Sequence, residues 1–265
     1  MVRLALDTNG LSGSIPPEVG LLQNLISLSI QSSGTNVLNG PLPSSLGRLD
    51  RLVDVALTGN QLTGGIPEGL GGWNAIETID LSGNGLSGSM PADFGPFTSL
   101  RTMDLSDNAI SGAFPARTLS ESSNLVTLNL SQNQLTSLPN EVAQIPSLRN
   151  LFVADNNLSS FPLAVTQLNE LTRLDLSNNG FGGAIPPEIG GLEGLSELRL
   201  SSNGITGVIP TELFGLTGLQ RALDLSSNDL SGPLPTQIGL LTSLRRLYLY
   251  ENSLDGSIPG SLSNL

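Results

Sequence analysis

Along Ile76–Leu100, IETIDLSGNGLSGSMPADFGPFTSL, apolar and polar positions first alternate and then break. Ile79 and Leu81 alternate with Thr78, Asp80 and Ser82. That period of two predicts a short strand with one buried face. Asn84 follows at a bend, where its amide is suited to bonding backbone groups of adjacent turns. Leu86 points back inward, and Gly88 permits a turn that a side chain would crowd. Pro91 fixes φ and opens a return stretch. Asp93 stands early in that stretch, where a helix-like turn favours an anion. A lone unit of this size cannot bury its leucines, whereas stacked copies can.

The copies are present. The bend asparagine recurs as Asn9, Asn36, Asn60, Asn84, Asn108, Asn133, Asn156, Asn179, Asn203, Asn228 and Asn252, at spacings of 23–27 residues. A proline follows each, from Pro16 to Pro259. Residues 1–265 therefore read as a single solenoid domain of eleven repeats. Four departures stand out. Repeat 2 carries extra residues in QSSGT before Asn36, expected to bulge at the sheet edge. The return stretch from Pro115 to Leu125 is one residue longer than the others. Repeats 6 and 7, with LTSLP and LSSFP, are one residue short and lack the turn glycine. That loss is expected to interrupt hydrogen bonding around Leu138 and Phe161 and to alter the local curvature. Repeat 10 gains Ala222 within LQRALDL. No polar cap precedes Leu4 or follows SLSNL, so an uncapped piece of a longer protein is expected, with self-association through its open ends as an alternative.

LALDTNGLSGSIP, LDLSNNGFGGAIP and LDLSSNDLSGPLP resemble the LxLxxNxLSGxIP unit of leucine-rich repeats, in the subtype abundant in plant receptors. The resemblance spans essentially the whole chain. It implies an α/β-class solenoid, curved, with a parallel sheet on the concave face and short 3₁₀ or irregular segments on the convex side. It also implies recognition through the concave strands, and favours an extracellular or cell-surface location. The receptor-kinase ectodomains and polygalacturonase inhibitors of that family often carry cysteine-bearing caps, and this chain has no cysteine.

Composition narrows the chemistry. There is no His, Cys or Lys, which removes most nucleophile–base pairs and soft metal sites. No enzyme activity, cofactor or metal is expected. Gly-rich pieces such as GGWNA and GGLEG lack the lysine of a phosphate loop. A net charge of −12 disfavours nucleic acid and anionic membrane as partners. No apolar run approaches the roughly 20 residues of a membrane span. Asp80, Asp104, Asp175 and Asp224 form a column with Asn129 in register, read as solvated or arginine-paired in preference to a Ca²⁺ site. A serine column beside it reads as structural backbone bonding rather than an ice-binding array. Sequons occur at Asn129, expected on the concave face, and at Asn157. Trp73 is expected to pack on the convex side.

The arginines decide where to look for a ligand. Eight of the eleven fall at outward strand positions, and six of these lie in repeats 7–11. Asp7, Asp54, Glu77, Asp80, Asp104 and Asp107 mark the same face in repeats 1–5. Charge pairing along the sheet accounts for mixed signs, but not for the aromatic residues among the arginines. Arginine offers planar, bidentate donors to carboxylates, and aromatics add desolvated contact area. The candidate ligand-binding set is Arg149, Phe152, Arg173, Asp175, Arg199, Arg221, Arg246, Tyr248 and Tyr250. The expected function is a non-catalytic protein- or peptide-recognition scaffold, part of a receptor-like or surface recognition protein, with an acidic partner. The alternatives are an inhibitor of a secreted enzyme and, more remotely, an ice-binding or structural surface protein.

Overall fold

The period-two stretches become strands and the prolines become turn openers. In the computed structural model, which describes residues 1–265, eleven short strands form one parallel sheet in strict chain order. The strands run from Arg3–Ala5 in repeat 1 to Leu247–Tyr248 in repeat 11. Register is kept from strand to strand, so Ile79 lies opposite Val55 and Met103, and Leu174 opposite Leu151 and Leu198. The next inward column, Leu81, Leu105, Leu130, Val153 and Leu176, is also buried, as the spacing predicts. One continuous hydrophobic core results, which each repeat completes only by stacking on its neighbours.

Nine repeats return through a five-residue 3₁₀ segment, each entered from a proline. Repeat 5, with the long return stretch, instead forms the one α-helix, Ala116–Ser120. Repeat 4 departs from expectation. Asp93 opens no helical segment there, because Pro96 lacks the N–H that would continue one. Trp73 is fully buried on the return side, and its indole N–H donates to Leu46 O at 2.9 Å.

The asparagines form the expected ladder. Asn108 Nδ2 donates to Leu81 O, Leu105 O and Ser106 O, each at 3.1 Å, and its Oδ1 accepts from Leu86 N at 3.0 Å. One amide thus satisfies backbone groups of two consecutive repeats where the chain bends away from the sheet. Asn36 keeps its place despite the insertion before it. It is buried and donates to Leu6 O and Gln31 O.

After each bend a second, flanking strand forms. Glycines at positive φ, such as Gly112 (φ 77) and Gly183 (φ 83), let these strands turn toward the return stretch. Repeats 6 and 7 lack that glycine, and the expected interruption appears. The register slips between Gly112 and Ala113 against Leu135 and Ser137. Repeat 7 adds no flanking strand, and the sheet splits into six strands on one side and four on the other. Leu4, Leu6, Leu249 and Leu262 at the two ends are only half-buried.

Candidate functional site

The outward face of the main sheet is built on two different local designs. In repeats 4, 5, 8 and 10 an aspartate sits at the end of the strand. Its Oδ1 accepts both the N–H and the hydroxyl of the serine two residues on. Asp80 and Ser82 show this at 3.1 and 2.6 Å, and Asp175 and Ser177 at 3.0 and 2.6 Å. In these four repeats the serine hydroxyls therefore bond carboxylates rather than the backbone groups expected. Asp80 and Asp104, though in adjacent register, are each engaged locally. No group of three or more His, Cys, Asp or Glu side chains is placed to hold a metal ion.

The second design occupies repeats 7–9. Arg173 and Glu197 face each other across adjacent strands, as do Asp175 and Arg199. Arg173 Nε lies 3.0 Å from Glu197 Oε2, and Arg199 Nη2 lies 2.6 Å from Glu197 Oε1. Glu197 is only 6% exposed on a face that is otherwise polar and open. One shielded carboxylate thus holds two guanidinium groups in place, a geometry suited to charge-assisted hydrogen bonds. Arg199 also reaches toward Asp175 Oδ2 at 4.0 Å. On the other side Arg173 stacks over Phe152, 4.9 Å from the ring centroid.

Next to this network the sheet, though continuous, carries an irregularity. From repeat 9 to repeat 11, Leu198, Leu223 and Leu247 stay in register. Repeat 10 has one residue too many to reach that register. Gln220 N and Arg221 N both donate to Ser196 O, and Ala222 then fills the place beside Glu197. The surplus residue is taken up at Gln220 and Arg221, which stay bonded to Ser196 O while both side chains are exposed. The strand of repeat 11 is only Leu247–Tyr248; Arg246 O still accepts from Leu223 N at 2.9 Å, and Arg245 and Arg246 precede the strand with exposed side chains. The result is a concavity of about 510 Å³ lined by Arg173, Glu197, Arg199, Gln220, Arg221, Arg245 and Arg246. No apolar side chain lines it. Arg173 and Arg199 are paired through Glu197. Arg221, Arg245 and Arg246 lie within 4 Å of no carboxylate.

Tyr248, opposite Asp224 in the sheet, and Tyr250 follow Arg246 in the chain and are 39% and 59% exposed. Their rings meet edge to face with centroids 6.4 Å apart. Of the candidate set, Arg173, Arg199, Arg221 and Arg246 line the concavity, Phe152 lies under Arg173, and Tyr248 and Tyr250 pair with each other outside the lining. Two members differ. Arg149 turns away to Glu170, at 3.1 Å. Asp175 spends one oxygen on Ser177 and adds little to the concavity. Sequence reasoning missed Glu197, Gln220 and Arg245 as members. Glu197 was visible as an in-register neighbour of Arg173, but its shielding depends on Arg173 and Arg199 both closing on its carboxylate.

Leucine-rich repeat models match residues 123–181 and 169–230, and residues 75–97, 221–241 and 243–265. Together they cover well over half of the 265 residues. The chain belongs to the leucine-rich repeat family. No curated protein matches the sequence significantly. Among solved structures, this leucine-rich repeat chain is similar to the plant peptide hormone receptor RGFR1 in complex with RGF2, at 32% identity and a TM-score of 0.86. That match covers 100% of this chain and 46% of the receptor chain. It is also similar to PEPR1 in its complex with AtPEP1, at 31% identity and a TM-score of 0.88, covering 99% of this chain and 40% of that one. A Leptospira interrogans leucine-rich repeat protein is 31% identical with a TM-score of 0.74, covering 100% of this chain and 70% of its own. The chain thus spans less than half the length of the two plant receptor chains.

Proposed function

We propose that this leucine-rich repeat chain is a non-catalytic recognition module. It binds an acidic or carboxylate-bearing peptide across the concave face of repeats 7–11. The observation that carries this reading is the set of unpaired guanidinium groups, Arg221, Arg245 and Arg246, beside the exposed Tyr248–Tyr250 pair. Arginine forks held beside a shielded carboxylate are pre-organised, so less entropy is lost when an anion arrives. The two tyrosines offer flat amphipathic surface for the neighbouring side chains of a bound peptide. A receptor-like role is favoured over enzyme inhibition because the structures of RGFR1 with RGF2 and PEPR1 with AtPEP1 are complexes of similar solenoids with their peptides.

The test uses a labelled peptide library split into Asp/Glu-rich, neutral and Lys/Arg-rich pools. The acidic pool is expected to bind best, with affinity falling as salt is raised. Arg246→Ala and Tyr248→Ala should each weaken binding by about 1–3 kcal/mol, the range for interface anchors. Equal binding of the three pools, or wild-type affinity in both variants, would overturn the reading.

A further inference from the structure

The two sequons, Asn129-Leu130-Ser131 and Asn157-Leu158-Ser159, have opposite surroundings. Asn129 lies within the main sheet. Its Nδ2 donates to Asp104 Oδ2 at 3.0 Å, and its Oδ1 accepts from Ser131 N at 3.2 Å. Asp104 and Phe152 flank it in register. A substituent on Nδ2 would compete with the bond to Asp104 and crowd both neighbours.

Asn157 is exposed, and its backbone N–H is taken by Leu135 O at 2.9 Å. Leu158 is 1% exposed and points into the core, which throws Asn157 and Ser159 outward on either side of it. Asn157 occupies the position at which neighbouring repeats begin their flanking strands, as Gln134 does in repeat 6. Repeat 7 forms no such strand. The chain of repeat 7 lies between the strands Gln134–Ser137 and Gly182–Gly183 and bridges them by two backbone bonds, Asn157 N to Leu135 O and Gly180 N to Leu158 O. The exposed rims of the two strands carry Gln134, Thr136 and Ser137 on one side and Gly180, Gly182 and Gly183 on the other. No bulky side chain stands over the break from these positions. A strand edge paired this sparsely leaves backbone groups within reach of other chains.

We infer that Asn157 is an N-glycosylation site, and that its oligosaccharide covers the break in the flanking sheet while leaving the concave face clear. The acceptor atom is Asn157 Nδ2. Transfer joins Nδ2 to the anomeric carbon of the oligosaccharide. It breaks the bond from that carbon to the pyrophosphate of a lipid-linked donor and releases one amide proton. The inference is independent of which ligand the concave face takes.

The chain is to be produced through the secretory pathway of a eukaryotic host and mapped by mass spectrometry before and after enzymatic deglycosylation. Asn157 is expected to carry glycan and to be converted to Asp on release, with Asn129 unmodified. Asn157→Gln and Ser159→Ala should each remove one glycan, and Asn129→Gln none. An unmodified Asn157, or equal occupancy at Asn129, would overturn the site. Deglycosylated protein should aggregate faster and exchange amide hydrogens faster at residues 134–137. If neither rate changes, the covering role is wrong.

Discussion

Asn133 holds its part of the solenoid with a single amide. Its Nδ2 reaches Leu105 O at 2.9 Å and Leu130 O and Ser131 O at 3.2 Å, and its Oδ1 accepts from Ile110 N at 3.0 Å. Alanine would leave these buried groups without partners, at about 1–3 kcal/mol for each that water cannot reach. Asn133→Ala should therefore cost about 3 kcal/mol, read as a lowered urea midpoint. A midpoint within error of wild type would count against the ladder as a source of stability. Asp7 is a second case. Its Oδ1 accepts from the Ser29 hydroxyl at 2.6 Å and from Gln31 N at 2.8 Å. The bond from Gln31, then that from Ser29, lowers its pKa below the ordinary aspartate value. A lowered folded-state pKa contributes stability above the unfolded value and loses it as pH falls through the folded one. Below about pH 4, then, wild type should lose stability more steeply than Asp7→Asn. Parallel acid limbs in the two unfolding curves would refute this. Asn133 was legible from its spacing. The bonds to Asp7 were not, because they need repeat 2 to stack in register before Ser29 and Gln31 come within reach.

At the scale of elements, one residue in repeat 10 makes the concavity. Other repeats step three residues from the last leucine of the return stretch to the first inward strand leucine, as from Leu195 to Leu198. Repeat 10 steps four, from Leu219 to Leu223. Both leucines are buried, so the surplus is taken up between them as a bulge at the exposed Gln220 and Arg221. Deleting Ala222 should restore the three-residue step, place Arg221 beside Glu197 and reshape the concavity next to Arg245 and Arg246. The deletion is expected to lower affinity for the acidic peptide pool at least tenfold while leaving the thermal midpoint unchanged or higher. Retained affinity would show that the bulge does not shape the site. The short repeats 6 and 7 follow the same logic in reverse. One missing residue, with the sheet leucines still stacked, is taken from the flanking strands, and the sheet there divides.

For the whole molecule, stability is a sum over repeats and the interfaces between them. Repeats 3–9 bury their inward leucines completely, whereas Leu4, Leu6, Leu247 and Leu249 remain half-exposed. Amide exchange should be slowest in the central repeats and fastest in repeats 1 and 11. Uniform protection along the chain would contradict this. The sequence by itself determined the fold, the number of repeats, the inward leucines and the asparagine ladder. These follow from a periodic pattern in which each position has the same neighbours in every repeat. It also placed the arginines and tyrosines on the outward face, since alternation along a strand is a local property. Only the tertiary structure decided that Glu197 is shielded between Arg173 and Arg199, that Arg149 turns to Glu170, and that Arg221, Arg245 and Arg246 surround one concavity. Those outcomes depend on how an insertion is absorbed between stacked repeats, and one repeat read alone does not contain its neighbour.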